Sequence, residues 1–436
     1  MSDEPAKRVL FLGVTGAGKN QAMETLAQRL AAHGGSKWTT VVFEDSYLWN
    51  GDDPENEKQT FLDGSLQAQY LKWTTAWSDF EKYLDNNPEE HIFLSVHGCF
   101  VRGHYGVRSP LDPSRIARSF KPDLVVTFIA DVYDMWWMTE GRAKGESVKG
   151  RPTLEQLIFA RRHELIVGDQ IALTGSVSRR QVRNLMLAVG HPTETLSHCI
   201  INPYTCKVAY LSFPISQPRD WEHRGDPEPR HMVSRFIKDA TEKSYDNPKL
   251  MILCPLGIDE IPFTKILPDP EKDAKGEVLD RDLIFDRDKE RWALEEFWPS
   301  TKRLALPTPI VGPSLPFREK QLRAACGSIM SDITWRDYRL VDQSDFLVVY
   351  NPIFYKRHKV AGSVRLEVLH AIRQNKMAYV FQEPEHDCVN YPAFEQLAGG
   401  NATMESGPTD NRISNKLEYN ELLDVLTSES HMSFRR

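Results

Sequence analysis

Gly13-Val-Thr-Gly-Ala-Gly-Lys19 stands between a short apolar run and a segment with helical spacing. The segment before it, Arg8–Gly13, is a short apolar run that ends in glycine, which is typical of a buried strand entering a loop. After it, residues 20–32 place apolar side chains three and four positions apart, which predicts a helix. A buried strand that passes through a glycine-rich loop into a helix is a unit of a parallel sheet. The sequence therefore predicts an α/β protein.

The same alternation of strand-like and helix-like segments continues along the chain. It predicts two domains, each a mostly parallel sheet flanked by helices and doubly wound. The further predicted strands cover residues 40–45, 91–96, 123–130, 206–214, 249–255, 346–350 and 377–381, and the predicted helices of the second half cover 232–244, 321–335 and 363–374.

Length supports this division. At about 150 residues per domain, a chain of 436 residues exceeds one ordinary core and suggests two or three domains, of which we adopt two. We place the boundary near residue 200, with domains 1–203 and 204–436. Residues 268–316 are charged and rich in proline, with a short helix-like piece at 288–297. This insertion is interpreted as a lid, an oligomer contact or a plain insertion.

Composition excludes several classes of partner. With 41% hydrophobic and 26% charged residues the chain is globular. A net charge of -7 argues against binding of nucleic acid, which depends on clustered cations. No apolar run approaches the length of a membrane span, and the first residues lack a signal peptide, so we expect a cytoplasmic protein without a membrane partner. The six scattered cysteines indicate neither a zinc site nor disulfides.

The glycine-rich segment has the Gly-x4-Gly-Lys spacing of a phosphate-binding Walker A loop. Glycines allow the backbone N–H groups to point at phosphate oxygens, and a lysine adds a positive charge. Gly13, Gly16, Gly18 and Lys19 are therefore predicted to bind ATP or another nucleotide. The alternative is an ordinary glycine-rich turn with an exposed lysine.

Two residues are candidates for Mg²⁺. Asn20 stands where such loops normally place the Ser or Thr that contacts Mg²⁺, and its amide oxygen is a possible ligand. Asp45, at the end of a predicted strand, is the second candidate metal ligand. An N-cap role for Asp45 is the alternative.

The N-terminal half resembles the P-loop nucleoside monophosphate kinases, particularly the archaeal-type adenylate kinases. The matching pieces in residues 7–180 are the loop, His97-Gly-Cys-Phe100, Lys121-Pro-Asp-Leu-Val-Val126, Ala172-Leu-Thr-Gly175 and a set of arginines. In such kinases arginines clamp phosphates, which suits the fork of a guanidinium group. The resemblance implies this role for Arg142, Arg151 and Arg162, whose alternative is a solvated basic face.

Two carboxylates in the second half are about thirty residues apart, each placed at an end of a β-α element. Asp337 precedes the predicted strand 346–350, and Glu367 follows Gly362-Ser363 in the first turn of the next predicted helix. Enzymes that cleave glycosidic bonds use two carboxyl groups in unlike environments, one ionised for attack and one able to carry a proton. The alternatives are a helix-dipole role for Glu367 and an exposed helical position for Asp337.

Residues 206–385 resemble the nucleoside deoxyribosyltransferase-like superfamily, which includes the 2'-deoxynucleoside 5'-monophosphate N-hydrolases. The matching pieces are Tyr210-Leu-Ser-Phe-Pro-Ile215, Arg336-Asp337 with Gln343-Ser-Asp345, and Ser363-Val-Arg-Leu-Glu367 with Ala371. The resemblance implies that Glu367 is the nucleophile and that Asp337 transfers a proton to the leaving base. It also implies a homo-oligomer.

Further residues complete the predicted site. Tyr210 is assigned to the catalytic group, where it positions Glu367 or contacts the sugar. Ser363, Gly362 and Arg219 are assigned to substrate binding, with Arg219 as a phosphate contact. Taken together, the sequence predicts an enzyme, an N-glycosyl hydrolase or transferase acting on a small-molecule nucleotide or nucleoside. The alternatives are a nucleoside monophosphate kinase with a ligand-binding C-terminal domain and a catalytically inactive nucleotide sensor.

Overall fold

A computed structural model describes residues 6–32, 37–103, 105–142, 152–176, 181–286, 291–292, 297–298, 303–304, 316–350, 362–381, 413–417 and 419–427. The strands are β1 Arg8–Leu12, β2 Trp38–Val42, β3 His91–Ser95, β4 Phe100–Arg102, β5 Gly106–Arg108, β6 Leu124–Ile129, β7 Arg183–Ala188, β8 Lys207–Ser212, β9 Leu250–Leu253, β10 Asp282–Leu283, β11 Phe317–Arg318, β12 Phe346–Tyr350, β13 Met377–Phe381 and β14 Ile413–Leu417.

The helices alternate with these strands. They are α1 Lys19–Ala32, α2 Pro54–Asp63, α3 Leu66–Asn86, α4 Pro113–Ser119, α5 Val132–Arg142, α6 Leu154–Ser176, α7 Thr193–Ile201, α8 Ser216–Glu222, α9 Glu228–Tyr245, α10 Ile261–Lys265, α11 Glu319–Gln343, α12 Gly362–Arg373 and α13 Tyr419–Asp424. A π-helical turn covers Glu44–Leu48, and a 3-10 turn covers Pro255–Gly257.

The chain divides into two units. The first contains Met1–Thr193, Gly257–Trp292 and Ser300–Ile333, and the second contains Glu194–Leu256, Ala293–Pro299 and Thr334–Arg436. Most of the predicted insertion thus groups with the first unit, although it follows residue 203 in sequence. The predicted short helix at 288–297 lies largely outside the described residues.

The first unit is built on a five-stranded sheet in the order β2-β3-β1-β6-β7, with every neighbouring pair parallel. Its core is rich in aromatic side chains. Trp73 and Trp77 of α3 stack with ring centroids 5.0 Å apart, and Phe43 packs against both. Burial of these large rings supplies much of the hydrophobic stabilisation of this unit.

The second unit is built on the sheet order β14-β13-β12-β8-β9, again with parallel neighbours. All five residues of β12 are buried, as are five of the six residues of β8. Continuous apolar strands of this kind need cover on both faces, which helices provide. The predicted α/β class with mostly parallel sheets is therefore confirmed.

Local sequence explains several helix starts. Ser65 caps α3 by accepting a hydrogen bond from the backbone N–H of Ala68, and Asp112 caps α4 in the same way through Arg115. Pro113 occupies the first helical position, where a missing N–H has no cost.

Two differences between the predicted and the observed elements move a candidate residue. The strand predicted at 40–45 ends at Val42, so Asp45 lies in the π-helical turn instead of at a strand end. The helix predicted to end at residue 335 continues to Gln343. Asp337 is therefore inside α11 and not at an end of a β-α element. Helix-compatible residues and buried packing at Leu340 and Val341 sustain the extra turns.

Candidate functional site

In the second unit, β8 and β12 are the neighbouring strands at which the strand order reverses. From β8 the chain proceeds to β9 on one side, and from β12 it proceeds to β13 on the other. In open parallel sheets, ligands bind in the crevice outside the carboxyl ends of such a pair. Ser212 is the last residue of β8, and Tyr350 is the last residue of β12.

Glu367 is a buried carboxylate held at this position, with only 5% of the residue exposed. The hydroxyl group of Ser212 donates a hydrogen bond of 2.5 Å to its Oε2 atom. Glu367 is the sixth residue of α12, so the prediction that it lies in the first turn is wrong. Because the helix dipole acts mainly within the first turn, it does not account for an acid at this buried position.

Burial controls the protonation of Glu367. Loss of solvent, reinforced by the nearby carboxylate of Asp337, raises the pKa of Glu367 to about 8, whereas Ser212 and Tyr210 lower it by a smaller amount. Two like charges close together oppose the ionisation of both groups. At neutral pH the free site therefore holds Glu367 largely in its protonated form.

Tyr210 precedes Ser212 by two positions, so both side chains lie on the same face of β8. The residue is fully buried, and its burial together with Glu367 and Asp337 raises the pKa of its hydroxyl well above the ordinary value. Its Oη atom makes no hydrogen bond of ordinary geometry within the described residues, although it is close enough to act on Glu367. The phenol is thus a neutral polar group directed at the acid.

Asp337 is partly exposed, with 17% of its side chain accessible, and one of its oxygens is 3.8 Å from Nε of Arg336. The structure brings Asp337, Glu367 and Tyr210 close enough to shift one another's titration. The two carboxylates therefore sit in unlike environments, one buried and one partly solvated.

The predicted substrate-binding residues differ in their exposure. Ser363 and Gly362 begin α12 and are exposed, one turn before Glu367. A Cβ atom on Gly362 would meet none of the described atoms within 4 Å, so packing does not demand glycine there. Arg219 is buried in α8, the helix that follows β8.

Ser212 is a site residue that the sequence analysis missed. The signal was present, because a serine inside the apolar run Val208–Phe213 stands on the same strand face as Tyr210. Its partner is 155 residues away, and no local pattern identifies it.

The second candidate site is the predicted phosphate loop of the first unit, which we call the phosphate loop below. Gly13, Gly16 and Gly18 have φ values of 147°, 89° and 75°, in a region that side chains disfavour. A Cβ atom on Gly13 would lie 2.7 Å from the carbonyl oxygen of Phe128. The loop is thus shaped by glycine, as its sequence predicts.

Lys19 is buried beside His97 and Glu44. Its Nζ atom is 2.7 Å from Nε2 of His97, whose Nδ1 atom faces Oε1 of Glu44 at 3.3 Å. The backbone N–H of His97 also donates to Glu44 at 2.6 Å. Burial lowers the pKa of Lys19, and the negative charge of Glu44 opposes that shift. The contacts with His97 and Glu44 thus hold the Lys19 ammonium group beside the loop.

Glu164 fixes the base of the loop. From the buried face of α6, its carboxylate accepts hydrogen bonds from the backbone N–H groups of Gly13 at 3.1 Å, Gly98 at 2.8 Å and Cys99 at 3.2 Å. Burial raises its pKa, whereas His97 and Lys19 act in the opposite direction. The sequence gives no hint of this role, since Glu164 looks like any polar residue of an amphipathic helix.

The predicted metal ligands have other partners. Oδ1 of Asn20 accepts a hydrogen bond of 2.7 Å from Ser95, and Asp45 accepts one of 3.0 Å from the indole of Trp49. Within the described part of the chain, no group of three or more His, Cys, Asp or Glu residues is arranged to hold a metal ion. Both side chains thus already accept a hydrogen bond from within the protein. The assignment of Asn20 and Asp45 stays a prediction.

The predicted phosphate-clamping arginines fall in different places. Arg162 pairs through Nε with Asp332 of α11, and Arg161 beside it binds Asp332 and Glu260. Arg142 ends α5, and Arg151 lies outside the described residues. The structure thus gives Arg162 a structural ion pair, and its phosphate role stays a prediction.

Comparison with protein-family models and with curated proteins gave no match to this chain. Among the described helices, none combines the length and the apolar character that crossing a bilayer requires. The geometry thus defines an α/β protein with a buried acid and a partly exposed acid close together in one unit and a glycine-shaped loop before Lys19 in the other.

Proposed function

We propose that the second unit cleaves the N-glycosidic bond between base and sugar in a nucleotide or nucleoside, with Glu367 as the nucleophile. One observation carries the proposal: the buried Glu367 accepts a hydrogen bond from Ser212 at the reversal of strand order, with Asp337 beside it. An acid pair in unlike environments suits a double-displacement reaction.

The carboxyl pair supplies both the proton and the nucleophile. With the pKa of Glu367 at about 8, the pair holds one proton at neutral pH. When the substrate binds, Glu367 gives this proton to Asp337, and Asp337 passes it to the departing base as the bond between the base and the anomeric carbon breaks. Glu367, now ionised, forms an ester bond to that carbon through Oε1, because Ser212 engages Oε2. Water or a second base then releases the sugar and returns the proton.

Substrate recognition falls to the exposed start of α12. The N-terminal amides of this helix favour an anion, and Ser363 adds a hydroxyl group one turn from Glu367. Ser363, Gly362 and Arg219 are our candidates for contacts with a phosphate or a sugar hydroxyl. The positive end of the helix also stabilises a nearby negative charge.

The first unit is proposed to bind ATP or another nucleotide at the glycine loop, for regulation, assembly or a second reaction. Lys19 and the loop amides would contact the phosphates. Any Mg²⁺ would be held mainly by the phosphates of the nucleotide, as is usual for this ion. A nucleoside monophosphate kinase is the second candidate function, and the glycine conformations of the loop favour it.

The decisive experiment incubates the full chain with a panel of nucleosides and their phosphates and measures free base by chromatography. We expect base release, and we expect Glu367→Gln to abolish it while the exposed Glu242→Gln leaves it unchanged. Acid quenching should trap the sugar on the peptide that contains Glu367. Base release that persists in Glu367→Gln would contradict the assigned nucleophile.

The same samples separate the alternatives. Conversion of a monophosphate to a diphosphate with ATP, lost in Lys19→Ala, would establish the kinase. Nucleotide binding without either product would establish the inactive sensor.

A further inference from the structure

Four side chains join α11 to the second half of α12 and the residue that follows it. Nε2 of His370 lies 2.7 Å from Oδ1 of Asp342, and the amide group of Gln374 donates a hydrogen bond to the same oxygen. The ring of Tyr338 stacks on the ring of His370, with the two centroids 4.6 Å apart. We call these four residues the interhelical clasp.

The clasp lies close to the acid pair on both helices. On α11, Tyr338 directly follows Asp337, and Asp342 comes four positions later on the same face as Tyr338. On α12, His370 is three positions beyond Glu367, which is about one helical turn. The clasp therefore joins the two helical segments that carry the two carboxylates.

We propose that the interhelical clasp positions the acid pair, with Asp342 and His370 as positioning residues that keep the carboxylate of Asp337 close to that of Glu367. The effect of the clasp on reaction rate rests on the proposed function of the second unit. Its effect on the proton that the two carboxylates share does not, because that proton is present without substrate.

The clasp contributes to geometry more than to stability. The side chains of His370 and Asp342 are 27% and 39% exposed, and contacts at such exposure add little to the free energy of unfolding. Lys376 also donates to the backbone carbonyl groups of Val341 and Asp342, so the two segments stay joined when the clasp is removed. A shift of about 1 Å in a catalytic group can nevertheless slow a reaction about a hundredfold. Loss of the clasp should therefore leave the fold intact and impair the reaction.

The separation of the two carboxylates also sets how tightly the pair holds its proton. Burial raises the pKa of Glu367 most, and the charge of Asp337 raises it further. Ser212 and Tyr210 lower this pKa, and both belong to β8 and not to the two clasped helices. A wider separation of Asp337 and Glu367 therefore weakens the hold on the proton while the other contributions stay in place.

The first experiment measures the proton linkage of Glu367 without any substrate. The free energy of unfolding of the full chain in urea is compared at about pH 5 and about pH 9, with and without Glu367→Gln. The gain that Glu367→Gln brings over this range should be smaller in an Asp342→Ala background and complete in an Asp342→Asn background. Asparagine removes the same charge but keeps Oδ1 as the acceptor for both donors. An undiminished gain in Asp342→Ala, or an equal decrease in both backgrounds, would overturn the proposal.

The second experiment follows base release. Asp342→Ala should lower kcat about tenfold or more with KM nearly unchanged, and should move the basic limb of the kcat/KM profile to lower pH. His370→Ala removes the partner on the other helix and should give the same two changes, whereas Asp342→Asn should restore both. The matched control is Arg373→Ala, because Arg373 is exposed on α12 outside the clasp. Its rate and its pH profile should equal those of the wild type.

The two experiments distinguish failure of the clasp from failure of the proposed function. Absence of base release in the wild type would contradict the proposed function, and the proton linkage would still decide whether the clasp positions the pair. Base release with an unchanged kcat in Asp342→Ala would overturn the positioning role. A fall in kcat with an unmoved basic limb would assign Asp342 a merely structural role and would overturn it as well.

Discussion

Ser212 donates a 2.5 Å hydrogen bond to Oε2 of Glu367, a residue 155 positions later in the chain. The bond joins the end of β8 to the second turn of α12, and both partners are buried. A hydrogen bond to an ionised acceptor is stronger than one between neutral groups, so Ser212 favours the charged form of Glu367. It thereby opposes the effect of burial on this acid.

Replacement of Ser212 by alanine should change the pH dependence of base release. Removal of a donor to the carboxylate raises the pKa of Glu367 further, by about one unit for a charge-assisted hydrogen bond. Because the reaction uses the proton held by the pair, loss of that proton sets the basic limb of the kcat/KM profile, and this limb should move to higher pH by that amount. A profile that keeps its position while the rate falls would assign Ser212 a purely structural role.

Glu367→Gln should stabilise the protein at high pH. The folded-state pKa of Glu367, about 8, exceeds its ordinary value of 4.5, so the folded protein binds this proton more tightly. The contribution of this proton to the free energy of unfolding is fully present below pH 4.5 and is lost as the pH rises through about 8. Glutamine does not titrate and escapes this loss. Between about pH 5 and about pH 9, the free energy of unfolding of the variant should gain a few kcal/mol on the wild type.

Urea denaturation at the two pH values measures this difference. Glu242→Gln is the matched control, since Glu242 is exposed on α9. Identical pH dependence in Glu367→Gln and the wild type would show that Glu367 is ionised in the folded protein.

Glu164→Gln should weaken nucleotide binding at the phosphate loop. Glutamine keeps one acceptor oxygen and turns an amide donor toward the N–H groups of Gly13, Gly98 or Cys99. We expect a loss of about 1–3 kcal/mol in stability and about a tenfold weaker affinity for ATP by calorimetry. The control is Glu155→Gln at an exposed position of the same helix, which should change neither the stability nor the affinity for ATP. An unchanged affinity in Glu164→Gln would show that Glu164 does not hold the loop in its binding conformation.

Asp332→Asn should destabilise the first unit. Asp332 is buried and pairs with both Arg161 and Arg162, and loss of one partner from a buried ion pair costs about 3–5 kcal/mol. The control is Asp282→Asn, whose pair with Arg318 is exposed and should contribute about 0–1 kcal/mol. Thermal denaturation compares the two variants, and equal melting temperatures would exclude a stabilising role for the buried cluster.

Local patterns identified the strands and helices that carry the two sites. The apolar run Val9–Leu12 and the glycines after it predicted β1, its loop and α1, because hydrophobic periodicity and glycine conformations are properties of adjacent residues. The same local patterns did not predict correctly where some of these elements end. It ended α11 at residue 335 and placed Asp45 at a strand end, since packing against distant residues decides where a helix or strand stops.

By itself, then, the sequence determined an α/β chain with parallel sheets, a glycine-shaped loop before Lys19 and the candidate acids Asp337 and Glu367. Only the tertiary structure decided the surroundings of those residues. It brought together three pairs of residues that are each more than 100 positions apart in sequence. Ser212 hydrogen-bonds to Glu367, the backbone of Gly13 to Glu164, and Arg162 to Asp332. The physical reason is that hydrogen bonds and the cost of burying charge depend on which distant strands and helices meet, and no local pattern records that.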